Sequence, residues 1–327
     1  KHDALRSSFH EYDGVPFKTI TPPGKTAISL AYDDLLDIAA SEREAECHRR
    51  LTRAARVTFD LAQLPLLRIT LLRIEANEHV LLLTAHHIVC DDWSLRQLLH
   101  EISAEYASPL SVTSNAEENK PSVTETGSSP WQPVVLSDHE LQEHLSYWRE
   151  HLAGAPSLHA LPTDRLRPAV HQMNGRLHRF SIPGQVVERA RKVAQAERVT
   201  LFMLGLATFN ILLSRCSQQD DIVVGTPIGN RSRPEDQTRI GLLLNTLPLR
   251  TSLAGNPTFR ELLRRVRDVT LGGYAHQNLP FEQLVSELEV ERNPGHAPLF
   301  QVMFVLLNES LPVLRIPGVT TRPVAVD

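Results

Sequence analysis

The segment His79–His87 constrains the fold most, because it is a run of largely apolar residues that ends in two adjacent histidines. A strand that is apolar on both faces is typical of the interior of a sheet covered on both sides. Leu66–Ile74 precedes it across the polar turn Glu75–Glu78, which predicts a β-hairpin. Asp92–Tyr106 follows with apolar residues at helical spacing and acids near its start. A buried central strand between such elements favours an α/β fold.

The composition excludes several classes of protein. Of the 327 residues, 42% are hydrophobic and 22% are charged, as in ordinary globular proteins, and the length suggests two lobes. The net charge of −4 gives no basic excess that would suggest nucleic acid. Leu201–Leu213 is apolar but is too short to span a bilayer, so it predicts a buried helix and no membrane partner. Three cysteines (Cys47, Cys90 and Cys216) without zinc spacing favour a reducing, cytoplasmic setting and no metal site.

The first half of the chain alternates strand and helix signals. Val15–Ile20 predicts a strand, and Ala40–Val57 predicts a charged amphipathic helix. Residues 107–133 are rich in Ser, Thr, Glu, Asn and Pro, which predicts a flexible insertion. Ser137–Leu152 then predicts a helix, with Ser137 as N-cap and Glu140 at the capping-box position.

A second α/β series is predicted from residue 176 onward. Its strands are Arg176–Ile182, Asp221–Thr226, Leu242–Leu249 and Phe300–Asn308, and its helices are Gln185–Glu197, Leu201–Cys216, Phe259–Tyr274 and Phe281–Leu288. We therefore expect an N-terminal lobe over residues 1–160 and a C-terminal lobe over residues 161–327. The chain starts without Met and stops abruptly at Asp327, so we expect a fragment truncated at both ends.

The two histidines predict a catalytic role for one of them. Side chains alternate along a strand, so His86 and His87 should point to opposite faces and should not bind one metal together. A His in a cleft can act as a general base or donate a hydrogen bond to developing charge. We assign that role to His87 and a supporting role to His86. A structural His near a strand end is the alternative.

The residues that follow complete the arrangement. Asp91 is expected to pair with an arginine, because a buried carboxylate needs a partner. Ser94 could cap the next helix, and no G-x-S-x-G elbow marks it as a nucleophile. A single Cys such as Cys90 is more often inert packing than a nucleophile.

These residues carry a specific resemblance. The run His86–Ser94 resembles the His-His-x-x-x-Asp-Gly-x-Ser signature of condensation domains of nonribosomal peptide synthetases, which other members of the chloramphenicol-acetyltransferase-like superfamily share. Further segments resemble later or earlier family motifs in the right order, up to about Asn308: Lys1–Phe9, Tyr147–Pro156, Ile240–Thr246, His276–Glu282, Arg292–Pro294 and Pro298–Phe304.

The resemblance implies a fold, a reaction and partners. The fold would be two chloramphenicol-acetyltransferase-like lobes in a V with a central tunnel. A donor acyl or peptidyl thioester and an acceptor aminoacyl thioester would enter from opposite sides, and an amide would form. Both would ride on phosphopantetheine arms of upstream and downstream carrier proteins, beside an adenylation domain, with no cofactor bound directly. The product would be a natural product of secondary metabolism.

The resemblance also assigns residues. His87 would accept a proton from the amine or steady the tetrahedral intermediate. Asp91 would make a structural salt bridge, for which Arg6 is our candidate partner. Trp93, Asn245 and His276 would line the cleft, although an ordinary strand-end role is the alternative for Asn245.

Departures from the family pattern keep rival hypotheses open. Asp92 replaces the usual Gly, which matters if that position needs a positive φ, and its carboxylate would favour protonated His87. The segment between Tyr106 and Trp131 lacks the family's Tyr-containing motif. The alternatives are an acyltransferase that uses a freely diffusing CoA thioester, an epimerisation domain, and an inactive scaffold that only docks carrier proteins.

Overall fold

The computed structural model describes residues 1–108, 136–171, 175–231, 233–290, 293–307 and 313–324. The chain divides into two compact units. The first unit takes in the described residues of Lys1–Ala116, Arg231–Leu243 and Glu309–Asp327, and the second unit those of Glu117–Asn230 and Leu244–Asn308. Most of the predicted insertion at 107–133 lies outside the described residues.

The first unit contains two sheets and two helices. Its elements are β1 (Ser7–Tyr12), β2 (Val15–Ile20), β3 (Leu30–Asp34), α1 (Ala40–Ala55), β4 (Leu67–Glu75), β5 (Glu78–Ala85) and α2 (Asp92–Ala107). β1 and β2 form a hairpin, while β3, β4 and β5 form a second sheet in that order. β4 and β5 pair antiparallel, so the predicted hairpin is confirmed. α1 packs on this sheet through Cys47 and Leu51, which meet Leu35 and Leu72 in one buried cluster.

Two features of β5 differ from the prediction. β5 ends at Ala85, so His86 and His87 lie beyond the strand. β5 is also an edge strand of the described sheet, and Leu81 is 36% exposed, whereas we predicted a buried central strand. An apolar sequence does not show how many neighbouring strands a strand pairs with. In this sheet β4 is the central strand.

The second unit is built on one antiparallel strand pair covered by helices. Its elements are α3 (Asp138–Leu152), α4 (Gly184–Ala196), α5 (Leu201–Ser217), β6 (Asp221–Gly229), β7 (Leu244–Ser252), α6 (Phe259–Ala275) and α7 (Phe281–Glu287). Residues of α3, α5, β6, β7, α6 and α7 share one hydrophobic core, in which Trp148 is 1% exposed. The predicted helix caps of α3 are confirmed, since Ser137 and Glu140 form a capping box. The predicted helix at Leu201 is also confirmed, and the face that carries Met203, Leu206 and Leu213 is buried.

The division into units differs from the predicted boundary at residue 160. α3 belongs to the second unit because Leu145, Trp148 and Leu152 enter its core. The segment Arg231–Leu243 belongs to the first unit, where Ile240 packs with Leu67 and Leu98. A boundary drawn along the sequence cannot show such exchanges, because they depend on tertiary packing.

Two predicted strands are not regular strands in the described residues. Arg176–Ile182 has no assigned secondary structure, and its side chains are exposed. The described part of Phe300–Asn308 makes a single parallel bridge, between Met303 and Gly225. Apolar residues in both sequences favour a strand, but a strand also needs a hydrogen-bonded neighbour along its length.

Among the described residues, no single helix is long and apolar enough to cross a membrane. By length and composition alone, α4 and α5 pass that test only as a pair bent by 107°.

Gly225 has the closest side-chain neighbour of the described glycines. A Cβ at this position would lie 2.6 Å or less from ring atoms of Phe300. We expect Gly225→Ala to lower the free energy of unfolding by about 1–3 kcal/mol, because the ring must move in a packed core. Gly229→Ala in the same strand is the matched control, since nothing lies within 4 Å of its Cβ. Urea unfolding of both variants tests this, and equal midpoints would contradict it.

Candidate active site

The two histidines lie on a tight turn between β5 and α2. A short 3₁₀ helix spans His87–Val89, and His86 caps it by accepting a hydrogen bond from the backbone N–H of Ile88 through Nδ1, at 3.2 Å. The His86 ring meets Phe59 edge-on, with centroids 6.0 Å apart. His87 is exposed. The two rings therefore have different surroundings. The 3₁₀ turn separates them, whereas we predicted separation by strand alternation.

His87 is held in one tautomer by a backbone carbonyl. Its Nδ1 lies 3.0 Å from the carbonyl oxygen of Cys90. A carbonyl oxygen only accepts hydrogen bonds, so Nδ1 carries the proton that is donated. In the neutral ring Nε2 is then unprotonated and carries the lone pair of a general base.

Asp91 makes the main electrostatic contact of the site. Both carboxylate oxygens lie 2.9 Å from Nη2 of Arg231, and these side chains are 0% and 5% exposed respectively. The carboxylate also accepts hydrogen bonds from the backbone N–H of Ser94 at 2.8 Å and of Leu243 at 3.1 Å. Burial would raise the pKa of Asp91, but these hydrogen bonds and the charge of Arg231 outweigh burial and hold the pKa below its ordinary value.

Arg6 does not make this salt bridge, so that prediction was wrong. Arg6 binds the Asp3 carboxylate and the backbone carbonyl of Thr21 instead. Asp3 is three residues from Arg6 in sequence, so this local pair forms within one turn. Arg231 reaches Asp91 from 140 residues away because the segment Arg231–Leu243 folds onto the turn.

Ser94 joins the same segment to the start of α2. Its hydroxyl donates to the carbonyl of Gly241 at 2.8 Å and accepts from the N–H of Gly241 at 2.9 Å. It also accepts from Nη2 of Arg231 at 3.0 Å. Asp91 rather than Ser94 caps α2. A hydroxyl that is 0% exposed and engaged in this way is structural, which agrees with the absence of a nucleophile elbow.

Asp92 occupies an ordinary helical position. It is the first residue of α2, is exposed, and is not among the described residues with positive φ. The backbone therefore does not require Gly here. A carboxylate in the first turn also interacts favourably with the helix dipole.

Trp93 lies at the edge of the site and is 41% exposed. Its Nε1 donates to the carbonyl of Gln237 at 2.7 Å, and the Arg231 guanidinium lies 5.9 Å from its ring centroid. Trp93 thus lies beside the Arg231 guanidinium.

Cys90 is unsuited to act as a nucleophile. Burial, together with the charges of Asp91 and Asp92, raises the pKa of its thiol to about 11, against a smaller opposing effect of Arg231. The reactive form of cysteine is the thiolate, so the thiol is inert near neutral pH.

Asn245 and His276 lie together in the second unit and hold one loop. The Asn245 amide donates to the carbonyls of Gln277 and Leu279 at 2.7 and 2.8 Å, and its oxygen accepts from the N–H of Phe281 at 3.0 Å. His276 stacks on Tyr147 with ring centroids 4.1 Å apart.

His276 has a second histidine as its hydrogen-bond partner. Its Nδ1 lies 2.9 Å from Nδ1 of His144, and burial together with His144 lowers its pKa. These contacts give Asn245 and His276 structural roles that the sequence did not predict. A role for them in lining a cleft stays a prediction.

Sequence reasoning missed Arg231, Gln237 and Gly241. The need of Asp91 for a cation was a usable signal, but the chain holds 34 Lys and Arg residues. Among the described residues, no group of three or more His, Cys, Asp or Glu side chains could hold a metal ion.

Comparison with known proteins identifies the family. The family model for the condensation domain matches residues 1–314. The chain belongs to the condensation-domain family. A linear gramicidin synthase from Brevibacillus parabrevis is 44% identical over 332 residues, which cover 100% of this chain and 6% of the relative. Chondramide synthase cmdD of Chondromyces crocatus is 37% identical over 99% of this chain and 8% of its own length. The chain thus spans a small part of these relatives.

Solved structures show the condensation-domain fold. A holo four-domain nonribosomal peptide synthetase, AB3403, matches with a TM-score of 0.81 at 24% identity, over 100% of this chain and 25% of that one. The first condensation domain of the calcium-dependent antibiotic synthetase, in complex with a substrate analogue, matches with a TM-score of 0.69 at 20% identity, over 97% of this chain and 70% of that one. The predicted family and the predicted α/β fold of a condensation domain are confirmed.

Removing one partner of the buried ion pair should destabilise the first unit. We expect Asp91→Ala to lower the free energy of unfolding near neutral pH by about 3–5 kcal/mol, because Arg231 is left buried and unpaired. The neighbouring, exposed Asp92→Ala is the matched control and should change it by less than about 1 kcal/mol.

The Asp91 effect should depend on pH in one direction. Because the folded pKa lies below the ordinary value of 3.8, the unfolded state binds more protons as the solution is acidified. The stabilisation is therefore complete above that value and is lost as the pH falls through the folded pKa. Urea unfolding against pH measures both effects, and a pH-independent difference between wild type and Asp91→Ala would contradict the assignment.

The cysteines should differ sharply in reactivity. Cys216 is exposed, whereas Cys47 and Cys90 are buried, and burial raises the pKa of both buried thiols. We expect iodoacetamide at neutral pH to alkylate Cys216 alone in the folded protein and all three cysteines after denaturation. Peptide mass spectrometry gives the sites, and rapid labelling of native Cys90 would contradict its inert environment.

Proposed function

We propose that the domain forms an amide bond between a donor acyl or peptidyl thioester and an acceptor aminoacyl thioester, with His87 as the catalytic residue. The observation that carries the proposal is the fixed tautomer of His87. Its Nδ1–H donates a hydrogen bond to the Cys90 carbonyl, so Nε2 can accept a proton. Membership in the condensation-domain family supports the reaction class.

The bonds and protons of this reaction balance without a further reactant. The neutral amine of the acceptor attacks the thioester carbonyl of the donor, the new C–N bond forms, and the C–S bond breaks. The proton lost by the amine passes to Nε2 of His87 and from there to the departing sulfur, which leaves as a thiol. No oxidation or reduction occurs.

The neighbouring groups support direct transfer rather than an acyl-enzyme. The Cys90 thiol is protonated at neutral pH, and the Ser94 hydroxyl is buried and engaged. Asp91 is bound to Arg231, so its carboxylate has no role as a base. Thioesters are already activated, so holding the two reactants together supplies much of the rate, up to about 7–11 kcal/mol in well-oriented cases.

Carrier proteins would supply both substrates. We propose that upstream and downstream carrier domains bring the thioesters on phosphopantetheine arms and that an adenylation domain adjoins this one. The four-domain organisation named for the structural neighbour supports a multidomain setting. A cytoplasmic location and the absence of a directly bound cofactor remain predictions.

The test replaces His87 in the native full-length protein. Donor carrier protein charged with standard L-aminoacyl groups is mixed with aminoacyl N-acetylcysteamine thioesters, and amide products are measured by mass spectrometry. We expect His87→Ala to lower the rate of amide formation by about 10²–10⁴-fold, the usual contribution of a general base. His100→Ala, on the exposed face of α2, is the matched control.

Four other results would change the assignment. Unchanged amide formation in His87→Ala would remove the catalytic assignment. Ester formed from acyl-CoA and an alcohol would support the CoA-dependent alternative, and solvent deuterium at the α-carbon would support epimerisation. Carrier binding without turnover would support the scaffold.

A further inference from the structure

Four side chains close a ring of contacts beside the turn that carries His87. Trp93 donates from Nε1 to the carbonyl of Gln237 at 2.7 Å. The Gln237 side chain in turn donates from Nε2 to the carbonyl of Arg231 at 2.8 Å. The Arg231 guanidinium completes the ring on the Asp91 carboxylate, two residues before Trp93. The ring thus ties the start of α2 to the segment Arg231–Leu243.

The same segment contacts the peptide group that holds His87. The peptide unit between Cys90 and Asp91 accepts from Nδ1 of His87 through its carbonyl, at 3.0 Å. The N–H of that unit donates to the carbonyl of Gly241 at 3.3 Å. A rotation of this rigid plane would move both hydrogen bonds together, because a peptide unit turns as one body. The position of Gly241 therefore sets the direction from which the Cys90 oxygen meets the imidazole.

Gly241 is itself held by the groups that the ring orders. Ser94 bonds both its N–H and its carbonyl, and Arg231 donates to the Ser94 hydroxyl. Arg231 also binds the carbonyls of Asp236 and Arg239, at 2.6 and 2.8 Å, and so shapes the segment from within. Neither Trp93 nor Gln237 contacts His87 through a hydrogen bond among the described residues.

From these contacts we infer that Trp93 and Gln237 are positioning residues for His87. They fix the segment Arg231–Leu243 on the turn. Through the Cys90–Asp91 peptide they maintain the Nδ1–H tautomer of His87 and the orientation of its Nε2. The inference rests on the proposed function of His87 and extends it to residues that do not touch the reacting atoms.

The inference predicts a particular kinetic change. The hydrogen bond that Nδ1–H donates to the Cys90 carbonyl is stronger when Nε2 also carries a proton, because the ring is then charged. Weakening this hydrogen bond therefore makes Nε2 less basic. The acidic limb of the rate profile should therefore move to lower pH. We expect kcat to fall about 3- to 10-fold, in line with the loss of one neutral hydrogen bond, while KM stays constant because substrate contacts are unchanged.

The experiment uses Trp93→Phe, Gln237→Ala and the double variant in the native full-length protein. Trp93→Phe keeps an aromatic ring over Arg231 and removes only the N–H donor. Thr238→Ala is the matched control, since Thr238 is exposed in the 3₁₀ helix Pro234–Thr238, which also contains Gln237, and its hydroxyl donates to the Glu235 carbonyl at 3.5 Å. Amide formation is followed against pH with the thioester pair that the wild type joins fastest, and thermal unfolding is followed by circular dichroism.

The outcomes separate this inference from the proposed function. Lower kcat, a shifted acidic limb and a double variant no worse than the poorer single variant would support positioning through one path. A rise in KM alone would show that Trp93 lines the substrate site instead. A lower melting temperature with unchanged kcat and pH profile would show a merely structural role, and either result overturns the inference. If the wild-type protein formed no amide at all, the proposed function itself would be refuted.

Discussion

The buried ion pair between Asp91 and Arg231 is the contact on which the candidate site depends. Removing two charges from water is costly, and the pair is tolerated because most of its remaining hydrogen-bonding capacity is used. Among the described residues, only Nε of the Arg231 guanidinium is buried without a hydrogen-bond partner in this pair. Asp91 accepts hydrogen bonds from the backbone N–H groups of Ser94 and Leu243. Arg231 donates hydrogen bonds to the carbonyls of Asp236 and Arg239. One pair thereby fixes the start of α2, the segment after β6 and the turn that carries His87.

That arrangement places no backbone requirement for Gly at Asp92. The carboxylate that matters is the buried Asp91, and the next residue only begins α2 with ordinary helical geometry. A Gly at this place would add freedom that the helix start does not need. The substitution that weighed most against activity in the sequence is thus structurally neutral for the backbone.

Local patterns predicted local structure well. Helical spacing gave α1, α2, α5 and α6 nearly to the residue, and Ser137 with Glu140 marked the start of α3, because such signals act over a few residues. The role of His87 could be proposed from its place in the signature. The partner of Asp91 could not, because Arg231 and Arg6 are both plausible cations by sequence and only tertiary packing selects between them. For the same reason the edge position of β5 and the loop-holding role of Asn245 were not predicted.

The central claim is that the Cys90 carbonyl holds His87 as the Nδ1–H tautomer. Nitrogen-15 NMR of histidine-labelled protein, with His87→Ala to assign the resonance, measures this directly through the two-bond couplings of the ring. At a pH where the ring is neutral, we predict a protonated Nδ1 and an unprotonated, pyridine-like Nε2. A protonated Nε2 would contradict the account, because the nitrogen proposed to accept the amine proton would already carry one.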